Sequence, residues 1–424
     1  MPEILEKGES SSEEEQYNNL AKLANKEILD KIGYGFGSQQ FINILFLQTG
    51  ASYFLVGIVN ALRVVFGNLA YSLLENIKNI KFSKKLVSLS GIFFGFSFLL
   101  MAFSIFINSA ELFAFSIMIN SIFIIFYGES KNLFKLSSSK AFLIEKLTKY
   151  SLIITAISLF LAAFIMDAFP ISGEKVILNL FNNMLQFKIY GYLIVFEIAA
   201  IAFILAGYIL SHVKSEAVVL KKVEIKNNYK YFLSNKILLL LILASVVVSI
   251  TQTIGYSYYG IFIYQKFTNE MFGGFLNVAM VFLMSVFTSL IGYFVIKINA
   301  KVYKKFPILI FGILMLAAMP LMYYLNFDLA YLTIGTMLGV IGSSAIGVTS
   351  SLLAIELISS ELRQAYFSFT NLISVPFLLV FVPLLAYVAQ IYSLHILFLM
   401  LTIVLGSLAV LVFAASVIFR KELE

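Results

Sequence analysis

The residues of this chain that could do chemistry are polar side chains that interrupt long apolar stretches. Gln39, Gln40 and Asn43 lie close together in the first such stretch, and Arg63 lies in the next one. Residues four apart share a helix face, so Gln39 and Asn43 would line a cavity or bind a neighbouring helix. A guanidinium in such a stretch can bind a carboxylate or phosphate, or pair with a buried acid. Arg63 therefore predicts a solute contact or a structural ion pair, and Glu197 is the candidate for that pair or for a proton site.

A second polar group lies in the later apolar stretches. Gln252, Tyr256 and Tyr259 are spaced i, i+4 and i+7, so a helix would present all three on one face. An amide beside two phenols suits a polar organic molecule with an apolar part, although the same face would also suit ordinary packing. Asn60 and Asn277 lie at matching places in the two halves of the chain. They are expected to hydrogen-bond across helices or to contact the solute.

Asn371 completes the candidate cavity residues and stands close to Pro376 and Pro383, which would kink its helix. A stripe of small residues in the same half predicts close packing of helices, with a sliding gate as the alternative. The stripe consists of Gly335, Gly339, Ser343 and Gly347.

The sequence does not favour catalysis. It has no cysteine and only two histidines, which leaves no thiol nucleophile, no disulfide and no histidine-rich metal centre. The apolar stretches hold no pair of carboxylates at one depth, and no Gly-x-x-x-x-Gly-Lys-Ser/Thr motif occurs. We therefore expect no enzyme activity, no cofactor, no metal and no direct use of ATP.

Composition narrows the class of protein further. Of the 424 residues, 60% are hydrophobic and 12% are charged, and the mean hydropathy is +0.94. Soluble domains are about 45–50% apolar and about 25% charged, so a soluble enzyme, a DNA-binding protein and a disordered chain are all excluded. The apolar residues run in continuous blocks rather than alternating, which excludes a membrane β-barrel. The sequence predicts an all-α polytopic membrane protein.

Twelve apolar blocks are long enough to cross a bilayer, which takes roughly 20 residues each. They lie near 32–48, 55–76, 87–108, 111–128, 150–167, 189–211, 237–264, 270–296, 306–325, 329–355, 365–388 and 392–419. If the N-terminus is cytoplasmic, 26 of the 30 lysines and arginines fall in segments on the cytoplasmic side. This asymmetry predicts that both termini are cytoplasmic, and it explains the net charge of +7 without a nucleic-acid partner.

The longest basic loop divides the twelve blocks into two halves. We expect a disordered acidic tail and a short amphipathic cytoplasmic helix over 1–31, and then a six-helix bundle over 32–211. A cytoplasmic linker over 212–236, a second bundle over 237–419 and a cytoplasmic end over 420–424 follow. The motif Ile-Gly-Tyr occurs at 32 and at 254, and Gly-x-x-Asn occurs at 57 and at 274. These two matches predict that the bundles are pseudo-symmetric.

The stretch from Gly33 to Leu62 resembles the first two spans of many major facilitator superfamily transporters, and the two groups of six spans resemble that superfamily too. The resemblance implies that a solute binds near mid-membrane, between two halves that open alternately. The superfamily's loop motif is poorly kept: Gly292 fits its first position, but Ile296 replaces the acid and Lys297 the arginine. The arginine motif of span four and the Gly-Pro motif of span five are missing, which argues against proton-driven drug export.

These features predict a secondary or facilitative transporter of a small organic solute, working by alternating access in the cell membrane. Arg63 favours an anionic or zwitterionic metabolite. The expected partners are the solute and the lipid bilayer, and the protein is expected to be a monomer. The alternative is a non-transporting membrane sensor or assembly protein with a transporter-like fold.

Overall fold

A computed structural model of the chain describes residues 2–76, 84–128, 141–180, 183–213, 229–299, 305–359 and 362–418. The helices in its first half are α1 (Pro2–Phe36), α2 (Gln39–Gln48), α3 (Tyr53–Asn76), α4 (Lys84–Phe106), α5 (Ala110–Gly128), α6 (Ala141–Ala168) and α7 (Gly191–Ser211). Those in the second half are α8 (Tyr229–Ser234), α9 (Lys236–Lys266), α10 (Gly274–Asn299), α11 (Lys305–Leu325), α12 (Leu329–Leu357), α13 (Arg363–Ile391) and α14 (Leu394–Ile418). Between α6 and α7, β1 (Glu174–Leu180) and β2 (Asn183–Ile189) form an antiparallel hairpin.

Helix α1 is longer than the sequence predicts. We expected residues 1–16 to be a disordered acidic tail, but residues 2–16 form the first turns of a helix that continues to Phe36. Glutamate is frequent in this segment and is a good helix former. Pro2 stands at the first helical position, where its fixed φ suits the helix and its missing N–H is not needed.

The first predicted span, 32–48, is divided between two helices, because α1 ends at Phe36 and α2 begins at Gln39. Glycines near the break allow neighbouring helices to approach closely. A Cβ added at Gly35 would lie 2.4 Å from the Cβ of Ser158, and one added at Gly37 would lie 2.4 Å from the Phe98 ring. Glycine here therefore permits both close packing of α1 and the interruption that follows it.

Nine of the described helical segments are long and apolar enough to cross a membrane. They are Lys85–Phe106, Ala110–Gly128, Ser151–Ala168, Gly191–Ser211, Lys236–Lys266, Lys305–Leu325, Leu329–Leu357, Ala365–Ile391 and Leu394–Ile418. Tyr53–Leu69 and Gly274–Thr288 are shorter apolar helices. Large apolar side chains also face outward, such as Phe103 and Phe413, which are 52% and 58% exposed. Because such surfaces are stable in hydrocarbon and not in water, the chain is a multi-pass membrane protein.

The helices form two compact units. Unit one comprises Met1–Ser38 and Asn79–Leu220, and unit two comprises Gln39–Lys78 and Lys221–Glu424. This division differs from the predicted bundles at residues 39–78, because α2 packs on α9 and α3 packs on α13. The boundary expected between 211 and 237 lies mostly outside the described residues, which omit 214–228.

The core of unit one is aromatic. Phe203 of α7 lies at its centre, with ring centroids 4.5 Å from Phe94 and 5.6 Å from Phe98 of α4, and 5.0 Å from Tyr34 of α1. Helices α4 and α7 are also joined by a hydrogen bond, which Ser88 Oγ donates to the Gly207 carbonyl at 2.7 Å. These contacts fix α1 against α4 and α7.

The core of unit two is aliphatic and joins α9, α11, α12 and α14. Leu309, Ile313 and Val412 are fully buried within it. Helix α8, which lies in the predicted linker, is attached to this unit by Phe232, a fully buried side chain. The Phe232 ring centroid lies 5.6 Å from that of Tyr366 and 5.7 Å from that of Phe369.

Candidate functional site

Three amide side chains of unit two form one hydrogen-bonded group, which we call the amide cluster: Gln39 and Asn43 of α2, and Asn60 of α3. Asn60 Oδ1 accepts from Gln39 Nε2 at 2.9 Å, and Asn60 Nδ2 donates to Asn43 Oδ1 at 3.0 Å. Asn43 and Asn60 are 1% and 2% exposed, whereas Gln39 is half-buried. Buried amides in an apolar protein interior are stable when they satisfy one another in this way.

Helix α2 binds the backbone of α9 next to the amide cluster. Asn43 Nδ2 lies 3.4 Å from the Tyr256 carbonyl and 3.3 Å from the Ser257 carbonyl. The Gly260 N–H donates to Gln40 Oε1 at 3.2 Å. A Cβ added at Gly260 would lie 2.5 Å from that oxygen, so only glycine leaves room for the contact. Side chains of α2 thus occupy hydrogen-bonding groups in the middle of a membrane-spanning helix.

A small cavity lies beside this junction, on the face of α9 that the spacing predicted. Its lining residues are Thr251, Gln252, Tyr256, Tyr259, Leu316, Met319, Leu401 and Leu405. Gln252 Nε2 donates to Ser343 Oγ of α12 at 2.7 Å, and Ser343 Oγ donates to the Gly339 carbonyl at 2.9 Å. The cavity therefore combines an amide, hydroxyls and aromatic rings with aliphatic walls, and its lining carries no charged side chain.

The cavity is nearly closed in this conformation. Its volume of about 10 Å³ is enough for about one water molecule. Tyr259 closes one side, because its ring centroid lies 4.4 Å from that of Tyr323 and 5.3 Å from that of Phe398. An organic solute could enter only after the helices around the cavity separate.

The turn between α2 and α3 is joined to the end of α9 by three further hydrogen bonds. Gln48 Nε2 donates to the Tyr264 hydroxyl at 2.9 Å, and the Tyr53 hydroxyl donates to Gln265 Oε1 at 2.8 Å. The Tyr258 hydroxyl donates to the Tyr53 carbonyl at 2.6 Å. We call these contacts the α9 latch. None of its members was a candidate from the sequence, because Gln, Tyr and backbone groups at helix ends are common in any membrane protein.

Helix α3 carries Arg63 and packs closely on α13. A Cβ added at Gly57 would lie 2.3 Å from the Ala386 Cβ, so the two helices touch through their smallest residues. Asn68 Nδ2 donates to Ser374 Oγ at 2.8 Å. Arg63 is half-buried, and it is not one of the residues that line the cavity.

The remaining asparagine candidates have different surroundings. Asn277 is fully buried, and its Nδ2 donates to the carbonyls of Phe267 and Glu270 at 2.7 and 2.6 Å. This amide therefore holds the loop between α9 and α10. Asn371 is half-buried on α13, a continuous helix that contains both Pro376 and Pro383.

The small residues of α12 do not all lie in one contact. A Cβ added at Gly335 would lie 2.8 Å from the Met322 Cβ, and one added at Gly339 would lie 2.6 Å from Met319 Sδ of α11. Gly347 is exposed and has no neighbour within 4 Å of an added Cβ. Ser343, expected to pack, instead faces Gln252.

Glu197 lies on α7 of unit one, and its side chain is exposed on that unit. Within the described ranges, no group of three or more His, Asp and Glu side chains could hold a metal ion.

The sequence did not indicate the aliphatic wall of the cavity, which includes Met319 and Leu401. Nothing separates those residues in the sequence from the many other apolar residues of their helices.

Comparison with protein-family models and with curated proteins finds no match. Among solved structures, the crystal structure of the nucleoside transporter NupG is similar, with a TM-score of 0.70 and 12% identity. The match covers 93% of this chain and 98% of that one. A crystal structure of a point mutant of NupG gives the same TM-score at 11% identity. Similarity at this identity establishes that the two chains share a fold.

Proposed function

We propose that this protein is a secondary transporter that carries a small, uncharged, hydrogen-bonding organic solute across a membrane by alternating access. The observation that supports this proposal is the cavity of unit two, which is lined by Gln252, Tyr256 and Tyr259 and by no charged side chain. An amide and phenol hydroxyls can hydrogen-bond a polar solute, and the aromatic faces suit a planar ring. A nucleoside has hydrogen-bonding groups and a planar ring. The similarity to the structure of a nucleoside transporter supports this class of solute.

This proposal replaces the preference for an anion that Arg63 suggested. An anionic solute in low dielectric needs a cation or several donors close by. The lining of the cavity offers neither a lysine nor an arginine. Arg63 then acts elsewhere on α3, and its removal does not change which solutes are recognised.

The hydrogen bonds between α2 and α9 suit a conformational cycle. Interhelical hydrogen bonds in membranes contribute about 0.6–2 kcal/mol each, so separating α2 from α9 at Gln40 and Asn43 costs little per contact. Water or solute groups can replace the lost partners as the cavity opens. The α9 latch opens in the same movement, because it joins α9 to the end of α2 and to the start of α3.

The wider arrangement belongs to the same proposal. Nine long spans, the two shorter apolar helices and the divided first span would together make twelve crossings. Twelve crossings in two six-helix groups, with both termini in the cytoplasm, agree with the placement of the lysines. The protein is proposed to act as a monomer in the cell membrane.

Uptake into proteoliposomes tests the proposal. We expect time-dependent, saturable uptake of a labelled nucleoside, inhibited by unlabelled nucleosides and unaffected by a nucleotide or a dicarboxylate. Nucleosides should raise the melting temperature of the purified protein in the same order in which they inhibit uptake, and a nucleotide or a dicarboxylate should not raise it. The reason is that a ligand that binds the native state stabilises it. The variant Arg63→Gln should keep this order.

Two outcomes would overturn the proposal. In the first, a dicarboxylate inhibits uptake by the unmodified protein but not by Arg63→Gln, which would support an anionic solute bound by Arg63. No flux of any solute class, together with binding of a partner protein, would support the sensor or assembly protein instead.

A further inference from the structure

Helix α8 lies at the border of the membrane, because it ends at Ser234 and the long apolar span of α9 begins at Lys236. Asn235, the residue between them, fixes the turn. Its side chain accepts hydrogen bonds from the N–H groups of Ile237 and Leu238 at 3.0 and 3.1 Å, which caps the start of α9. A helix joined to a span through one capped residue lies at the depth of the lipid headgroups.

One face of α8 is attached to unit two. The Tyr229 ring stacks on the Phe369 ring of α13, with ring centroids 4.9 Å apart, and Phe232 is fully buried. The Tyr231 hydroxyl donates to the Leu357 carbonyl, at the end of α12, at 3.3 Å. These contacts hold α8 in one orientation and decide which of its side chains form the outer face.

The outer side of α8 combines apolar side chains with positive charge. Tyr231 and Leu233 are 43% and 48% exposed. Lys230 is exposed on the same short helix, and Lys236 is exposed at the start of α9. We call these four residues the α8 face. Apolar side chains at headgroup depth are stable against lipid acyl chains, and a lysine beside them can reach a lipid phosphate.

Charged groups at the adjoining end of α12 do not offset the positive charge of the α8 face. Glu356 of α12 forms an ion pair with Lys305 of α11. The Arg363 guanidinium donates to two backbone carbonyls at the end of α12, at 2.9 and 3.3 Å. In the sequence, residues 212–236 contain six lysines and two glutamates. A basic segment next to a membrane span attracts anionic lipid headgroups, so the charge of this segment indicates the kind of partner.

We propose that the α8 face binds an anionic phospholipid, whose phosphate contacts Lys230 and Lys236 and whose acyl chains contact Tyr231 and Leu233. A zwitterionic lipid offers the same acyl chains, but the lysines repel the cation of its headgroup. The bound lipid holds α8 against the ends of α12 and α13. This site is independent of the proposed transport function, because it uses only the position of α8 beside a span and the chemistry of its outer face.

Contact with lipid can be measured directly, because the chain has no tryptophan. Leu233→Trp places a single fluorescent reporter on the α8 face of the full-length protein in phosphatidylcholine vesicles. Phospholipids with brominated acyl chains quench tryptophan on contact. We expect brominated phosphatidylglycerol to bind at the reporter at least about fivefold more strongly than brominated phosphatidylcholine, since one lysine near an anionic surface contributes a preference of about that size.

Two lysine variants of the reporter protein test the role of charge. Lys230→Gln should lower the preference for the anionic lipid about fivefold. Lys175→Gln removes an exposed lysine of β1, so it changes the net charge equally and should leave the preference unchanged. Equal quenching by the two lipids, or an equal loss in both variants, would overturn the site. Absence of quenching by either lipid would show that α8 does not contact the bilayer.

A free anion is distinguished from a lipid by competition. Inorganic phosphate, added at constant ionic strength, should not reduce quenching by brominated phosphatidylglycerol, because the acyl chains hold the lipid at the α8 face. Loss of this quenching would show that the α8 face binds a free anion and would overturn the lipid site.

Thermal unfolding provides a second measurement, which does not depend on the reporter. Phosphatidylglycerol added to the purified protein in detergent should raise its melting temperature more than phosphatidylcholine does, because a ligand that binds the native state stabilises it. Lys230→Gln should lose this difference between the lipids, and Lys175→Gln should retain it. An undiminished difference in Lys230→Gln would overturn the site. Neither measurement needs a transported solute, so a failure of the proposed function leaves both results interpretable.

Discussion

Two pairs of polar side chains within the helices of unit two satisfy each other by hydrogen bonds. Gln252 donates to Ser343, and Asn43 and Asn60 bind each other. Burying an unpaired amide in hydrocarbon costs roughly several kcal/mol of free energy, whereas exchanging one hydrogen-bond partner for another costs little. A side chain in such a pair is therefore available to a solute that offers an equivalent group.

Gln252 is the residue at which this exchange is most readily tested. We expect Gln252→Ala to raise the KM for solute uptake about tenfold, which corresponds to about 1.4 kcal/mol, close to one hydrogen bond. Ser343→Ala removes only the resting partner, so it should leave KM unchanged or lower it. Uptake kinetics in proteoliposomes measure both variants. A rise in KM of equal size for both would mean that the pair is structural.

At the scale of the helices, glycine and alanine decide which elements can touch. Helix α2 reaches the backbone of α9 because Gly260 has no side chain, and α3 meets α13 because Gly57 lies against Ala386. The close contacts explain why residues 39–78 belong with the C-terminal helices in unit two. They also imply that a single added side chain can separate α2 from α9.

Gly260→Val tests this contact. The new Cβ would lie 2.5 Å from Gln40 Oε1, so we expect α2 to shift away from α9 and the rate of uptake to fall at least about tenfold. A cysteine placed at Asn43 should then react faster with a water-soluble thiol reagent. Gly406→Val is the matched control, because an added Cβ there has no neighbour within 4 Å. Equal labelling at Asn43 in both variants would show that the α2–α9 contact does not control access.

At the scale of the whole molecule, the membrane decides which surfaces are stable. Apolar side chains such as Phe103 and Phe413 face outward, which is favourable only where lipid replaces water. The lysines are concentrated in alternate segments between the twelve predicted spans, and this asymmetry predicts the orientation of the chain in the membrane. The orientation can be measured independently of transport.

The absence of native cysteine makes that measurement direct. We expect a cysteine at Ser172, in the exposed turn before β1, to react with a membrane-impermeant thiol reagent added to intact cells. A cysteine at Ser234, exposed at the end of α8, should react only after the cells are opened. Reaction of Ser234→Cys in intact cells would reverse the proposed orientation, and reaction of both would contradict the number of crossings between them.

Local properties of the chain were sufficient to predict the membrane class, the nine long apolar helices and the shared face of Gln252, Tyr256 and Tyr259. Hydropathy and helical periodicity depend on neighbouring residues, so a linear pattern contains them. The helical start of α1 was missed, because an acidic composition favours disorder as readily as an exposed helix.

The partners of the polar residues could be read only from the folded chain. Asp30 and Tyr127 are 97 positions apart, and Gln252 and Ser343 are 91 apart. Helix faces that are equally apolar can pack in many pairings, and the choice among them depends on small residues and on which buried groups satisfy each other. Glu197, the acid that the sequence singled out, lies exposed on unit one.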